Sequence, residues 1–399
     1  MRWIDRGLRP SAAAARKALM LREAAARAPG NVGLLAQLAD ALRRQHEFSE
    51  ARIAYERALR LEPGDQASMA GLAECLMSLH LPQAVLDLAA RPAWKSGPDR
   101  DYECGCALMA LGRIAEGRIH LARAVEAEFP RIRALRTMLE SLAGERDGAA
   151  LLAYCDALDL RQRETALVRG YRAVALSMSG RHEDARRLVD LENYVIRAKF
   201  DPPEEFGGLD AFNRELAAEI LKDRPVGAAN RDTVINYQPS LAQSGAVRAL
   251  RQFIREQLAS YVSRLDEMGL RDVMPLPPER ASIHFATVVL CRDGRNRQHL
   301  HPGAYVSTVY HVQVPELDDS AGDHRGDLVL GPCTGLAGGH RACWGERYIP
   351  AEAGWLTLFP SHIFHDVVPT GSDQPRISAV ADLSPVREGM AITDEPGME

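Results

Sequence analysis

A chain of 399 residues, 46% apolar and 26% charged, is long enough for two or three domains, each with its own core. A net charge of −5 with both signs interspersed argues against a surface built for nucleic acid or another polyanion. Seven cysteines without a paired framework fit a reducing compartment. Met1-Arg2-Trp3-Ile4-Asp5-Arg6 has no apolar core of leader length, and no window reaches a membrane span, so the expectation is a cytoplasmic protein.

The first half is rich in Ala, Leu and Arg, and it repeats. Leu35, Leu38, Ala39 and Leu42 form one helical stripe, and Ala51, Tyr55 and Ala58, closed by Pro63, form a second. Pro29 precedes Pro63 by one repeat length, which places Ala12 to Ala28 in a preceding unit. Weaker copies follow at Ala73, Leu76 and Ala84, then at Gly105, Leu108, Gly117, Leu121 and Ala124. Two more follow at Ala150, Tyr154 and Ala157, and at Ala173, Leu176 and Ala185. Paired helices with small residues at their crossings and a period of about 34 residues resemble the tetratricopeptide repeat. The resemblance implies an α-solenoid over 1–195, whose concave face receives an extended peptide or a protein, or serves assembly as a homodimer.

The helical pattern breaks between Leu191 and Gly208. Asp201-Pro202-Pro203 cannot continue a helix, because proline lacks the amide donor and restricts the residue before it. A linker over 196–208 and a second domain over 209–399 follow from this. Leu209 to Leu221 and Gly245 to Leu265 read as amphipathic helices. Strands are expected at Ala281–Leu290, Ala304–Val314, Asp327–Leu330, Glu346–Ile349, Gly354–Phe359 and Arg376–Leu383, with Gly- and Pro-rich connections. The stretch from Gly331 to Gly345 reads as a loop over the mouth of a site, since the spacing of Cys333, His340 and Cys343 matches no zinc pattern.

Eight of the twelve histidines follow residue 280. Side chains two apart on a strand share a face, so His299 and His301 in Gln298-His299-Leu300-His301-Pro302-Gly303 can offer two imidazole nitrogens to one point. A third imidazole from a distant strand, His365 in Phe359-Pro360-Ser361-His362-Ile363-Phe364-His365, would complete one face of an octahedral iron site and leave the other open. Arg376 lies eleven residues further on, within apolar neighbours Ile377, Ala379 and Val380. A guanidinium there suits the free carboxylate of a keto acid as a bidentate fork, and Ser378 shares its strand face.

These pieces in this order, from Phe206 to Val386, resemble the iron- and 2-oxoglutarate-dependent oxygenases, in particular the bacterial and phage branch with a His-x-His-Pro motif. The domain order also resembles the aspartyl/asparaginyl β-hydroxylases. The resemblance implies a double-stranded β-helix, or jelly-roll barrel, with flanking helices. It also implies Fe(II), 2-oxoglutarate and O2, with side-chain hydroxylation of a peptide or protein. His299 and His365 become metal ligands, the His365 to Arg376 interval favours His365 over His362, and Arg376 and Ser378 hold the cosubstrate. Tyr310, or Ser307 or Thr308 in its place, would bond the cosubstrate carboxylate. The chain departs from the common pattern at His301, where most relatives have Asp or Glu. Three arrangements stay open: His301 is the third ligand; it sits behind the site while water completes it; or it replaces His299 with Gly303 in the acid position. A barrel without redox function, and a three-histidine dioxygenase needing no keto acid, are the competing readings.

Overall fold

The computed structural model describes residues 12–128, 131–161, 165–222, 232–236, 244–270, 281–317 and 322–385, and the first six residues discussed above lie outside these. The described chain divides into two compact units, 12–141 and 142–385. No described helix is long and apolar enough to cross a membrane.

In the first unit α1 (Ala12–Arg27) is followed by the hairpins α2 (Val32–Arg44) with α3 (Phe48–Leu61), α4 (Gln66–Ser78) with α5 (Pro82–Ala89), and α6 (Pro98–Ala110) with α7 (Ile114–Ala127). The apolar stripes read from the sequence are the buried ones: Leu35, Leu38, Ala39 and Leu42 from α2 pack with Ala51, Tyr55 and Ala58 from α3 in one core. Each helix start needs an acceptor for its free amides, and Asn31 and Asp65, one repeat apart, supply it to Leu34 and Ser68. Close approach of α3 and α4 depends on Gly71, where a Cβ would fall 2.3 Å from the Tyr55 ring.

The hairpin signature continues through α8 (Ile132–Gly144), α9 (Gly148–Asp159), α10 (Ala166–Met178) and α11 (His182–Leu188). The turn inside every hairpin carries one left-handed residue at an equivalent place: His46, His80, Gly112, Arg146 and Gly180. From Leu142 on, however, these helices belong to the same compact unit as the sheets.

That unit holds two antiparallel sheets. One has the order β1 (Ile196–Lys199), β7 (Trp355–Pro360), β4 (Val306–Gln313), β9 (Arg376–Pro385), β3 (Ala281–Leu290), β2 (Thr233–Asn236); the other is β6 (Arg347–Ile349), β5 (Leu328–Leu330), β8 (His365–Val367). Ile196–Lys199, inside the stretch read as linker, thus pairs with Trp355–Leu358 as an edge strand. Val288, Leu290, Val309 and Phe359 from the larger sheet pack with Leu328, Leu330, Ile349 and Val367 from the smaller, giving a double-stranded β-helix with one apolar interior. The outer face of the larger sheet is covered by α12 (Leu209–Lys222) and α13 (Gly245–Glu267), whose Phe212, Leu216, Leu250 and Ile254 are buried.

Candidate active site

Cross-strand partners in an antiparallel pair share a face, and that rule sorts the candidate residues. On β9, Arg376, Ser378, Val380 and Asp382 alternate onto one face, and their partners on β4 are, in reverse order, Ser307 for Asp382, Val309 for Val380 and His311 for Ser378. Val309 and Val380 belong to the interior core, so this face looks into the barrel.

At one end of the barrel the segment 299–301 runs along 361–365 as an extra edge. His299 and His365 exchange both backbone hydrogen bonds, at 3.0 and 2.8 Å, and the His301 amide donates to the Ser361 carbonyl. The pairing brings the three rings together, with centroids 4.0 Å apart for His299 and His365, 5.0 Å for His301 and His365, and 5.2 Å for His299 and His301. One nitrogen from each lies within 4.8 Å of the others. Each Nδ1 already has an acceptor: the Arg297 carbonyl for His299, the Ile363 carbonyl for His365, and the Asp382 carboxylate for His301. Carbonyl oxygens only accept, so Nδ1 carries the proton in His299 and His365 and Nε2 keeps its lone pair. This orientation of imidazoles by an acceptor at the far nitrogen is what a metal site requires. Burial, with His299 and His301 alongside, keeps the His365 ring neutral, as ligation needs.

Asp382 is the residue that sequence reading passed over. One oxygen accepts from His301 and the other from Ser307 Oγ at 2.8 Å, while Ser307 also contacts Ser361 Oγ at 2.8 Å. Ser307 is therefore engaged with the support of His301 instead of free for a cosubstrate. Parity along β9 was the available signal, since 382 lies six residues, an even step, from Arg376.

Arg376 is 1% exposed. Its Nε donates to the Gly326 carbonyl at 2.9 Å and its Nη1 to Ser378 Oγ at 3.0 Å, while Nη2 is buried without a partner. Burial pulls its pKa down to about 10, with Asp327 opposing, so the group is still a cation at neutral pH. A buried guanidinium with an unsatisfied edge fits an anion.

Tyr310 is a correction. It pairs with Ala379, on the outward face, and its hydroxyl donates to Asn213 of α12 at 2.8 Å. Thr308 shares that parity, opposite Ala381. His362 turns away from the cluster to the Leu188 carbonyl at 2.8 Å. The loop from Gly331 to Gly345 is held against α10: His340 Nε2 and the Cys343 amide both meet Ser177 Oγ at 2.9 Å. The same helix backs the histidines. A Cβ at Gly170 would stand 2.6 Å from Leu300 and 2.8 Å from the His362 carbonyl, and Tyr171 meets Phe364 edge-on at 5.4 Å.

Residues 286–382 match the family described as "Putative 2OG-Fe(II) oxygenase", and residues 32–65 match the tetratricopeptide repeat. A search of curated proteins finds no match. Among solved structures, a prolyl-4-hydroxylase from Pseudomonas putida is 17% identical, covering 51% of this chain and 100% of its own, with a TM-score of 0.32. YrrB, a tetratricopeptide protein with an unusual peptide-binding site, is 20% identical over 43% of this chain and 89% of its own, at 0.34. The 2-oxoglutarate-dependent epimerase SnoN from nogalamycin biosynthesis is 16% identical over 54% and 91%, at 0.34.

Proposed function

The chain carries a 2OG-Fe(II) oxygenase domain and a tetratricopeptide repeat, and on that premise we propose that it oxidises a side chain of a peptide or protein, by default through hydroxylation. The observation that carries the reading is the convergence of three imidazoles, each with its far nitrogen fixed, at one end of a barrel that also buries a half-satisfied guanidinium.

In this reading His299, His301 and His365 would hold Fe(II) through Nε2, and the metal with 2-oxoglutarate and O2 would supply the oxidising chemistry, the keto acid being converted to succinate and CO2. The chain's own residues do the positioning. Arg376, kept in place by Gly326 and Ser378, fixes the far carboxylate of the cosubstrate. Asp382 fixes the ring of His301, and Phe359, edge-on to His365 at 5.0 Å, keeps the inner side apolar. The repeat hairpins supply the kind of groove that takes an extended chain, which supports a peptide over a small molecule.

The test is to reconstitute the protein with Fe(II) under reducing conditions and measure succinate from 2-oxoglutarate, alone and with peptide pools. Turnover of the cosubstrate is expected in the native protein and should fall at least 100-fold in His365→Ala and Arg376→Ala variants, an order-of-magnitude figure for loss of a metal ligand or a buried ionic anchor. Succinate formation that survives both substitutions would overturn the assignment.

A further inference from the structure

The interior face of the larger sheet buries three polar groups that the protein itself leaves unsatisfied. His311 is 0% exposed and neither ring nitrogen has a partner; Thr357, also 0% exposed, has an unpartnered Oγ1; and Arg376 has its unpartnered Nη2. The strand register gathers them. His311 lies opposite Ser378, whose hydroxyl accepts from Arg376, and Thr357 lies opposite Val309, two residues before His311 on the same face. Each such atom left without a partner in an interior forfeits the hydrogen bonds it had with water. Three at one place are not what packing alone retains, since buried polar groups are normally paired.

The shape of the deficit indicates what fills it. Arg376 has Nε and one Nη1 proton committed to Gly326 and Ser378, so it can approach a carboxylate only from its Nη2 edge. A carboxylate offers about four acceptor positions. The remaining ones call for donors on the neighbouring strands; among the described residues of this face the side chains of His311 and Thr357 are fully buried and have no partner at all, whereas Arg197, opposite Thr357 on β1, leaves only its Nε unpaired and gives its Nη2 to Glu352 and the Pro350 carbonyl. Burial and the nearby Arg376 and Arg197 guanidiniums keep His311 neutral, leaving it one N–H to give.

We propose that His311 and Thr357 join Arg376 as the seat of the far carboxylate of 2-oxoglutarate, His311 giving a ring N–H and Thr357 its hydroxyl proton. The assignment rests on the oxygenase reading above. It makes two residues on β4 and β7 cosubstrate-binding, where sequence reading had Arg376 and Ser378 on β9 and Tyr310, Ser307 or Thr308 on β4.

The experiment uses the full chain, loaded with Fe(II) without oxygen, and follows two signals on adding 2-oxoglutarate: the visible absorbance of the iron–keto acid chelate and the rise in melting temperature. His311→Leu and Thr357→Val should each raise the dissociation constant for 2-oxoglutarate roughly tenfold, the worth of one buried hydrogen bond. Thr357→Ser should restore it. Fe(II) affinity should be unchanged, and without cosubstrate both variants should melt no lower than the native protein, because each removes an unsatisfied group. If the native protein shows neither signal, the oxygenase reading fails and this inference with it. If the native protein binds and both variants bind as tightly, or lose Fe(II) in parallel, only the inference fails. Should His311→Leu not fold, the Thr357 pair decides the matter by the same criteria.

Discussion

Asp382 stands one hydrogen bond behind His301, and its charge bears on how a site of three neutral ligands would hold a dication. Replacing a ligating carboxylate by imidazole raises the net charge of a site by one unit and weakens retention of the metal. A carboxylate behind the imidazole returns negative charge at one remove and makes the ring a better base. Asp382→Asn keeps the shape and removes the charge, so Fe(II) affinity should fall about 10- to 100-fold, the usual effect of losing such a partner. Metal titration would show it, and an unchanged affinity would mean that Asp382 only packs. Elsewhere, Glu103 on α6 is buried, and burial pushes its pKa from 4.5 up to about 8, with Arg133 opposing. The folded state therefore favours the protonated form. Its contribution is fully present below about 4.5 and is lost as pH rises through about 8. Glu103→Gln should melt like the native protein at pH 4.5 and above it at pH 9; parallel melting curves across that range would contradict this.

At the scale of elements, the helical hairpins show why some features are legible in sequence and others are not. The stripe residues repeat because each packs against the next helix, so the period appears directly in Ala and Leu. The turn position repeats equally well in conformation but not in residue type. Gly112 and Gly180 advertise a left-handed backbone, whereas His46, His80 and Arg146 adopt it with φ of 63, 66 and 59° and conceal it. A side chain in that region costs about 1–2 kcal/mol, of which glycine recovers part after its own entropic penalty. His80→Gly and Arg146→Gly should thus each stabilise by roughly 0.5 kcal/mol, read from the denaturant midpoint at constant slope. The same contrast runs through the sheets. β3 spans the ten residues expected of it, but β1, β2 and β8, of four, four and three residues, are too short for alternation to show and are defined by their partners. Tyr310 failed for a related reason. A count of eleven from His299 crosses the turn at Pro302 and Gly303, so it cannot decide parity, whereas the register against Ala379 does. Arg376, Ser378 and Asp382 sit on one unbroken strand, where an even step is reliable.

On the scale of the whole chain, the proline-rich break near residue 202 suggested where one domain ends, yet the compact unit that contains the barrel begins at Leu142. The physical reason lies in what α10 and α11 touch. Gly170 admits Leu300 and the His362 carbonyl into van der Waals contact with the helix backbone, Ala173 joins the barrel core, and the Leu188 carbonyl accepts from His362. These contacts fall on the residues beside His299, His301 and His365, so the last repeat hairpin also acts as the wall that keeps the ligand segments in register. Two consequences can be measured. Gly170→Leu must displace Leu300 or the 362–364 segment, and should lower Fe(II) affinity more than it lowers the melting temperature of the repeats. A fragment covering 142–399 should fold and bind Fe(II), while one covering 196–399, which keeps every strand but loses α9 to α11, should expose Leu300, Ile363 and Phe364 and lose both cooperative melting and metal binding. Equal Fe(II) affinity in the two fragments would show that the hairpin is dispensable and that the break at the prolines marks the functional boundary after all.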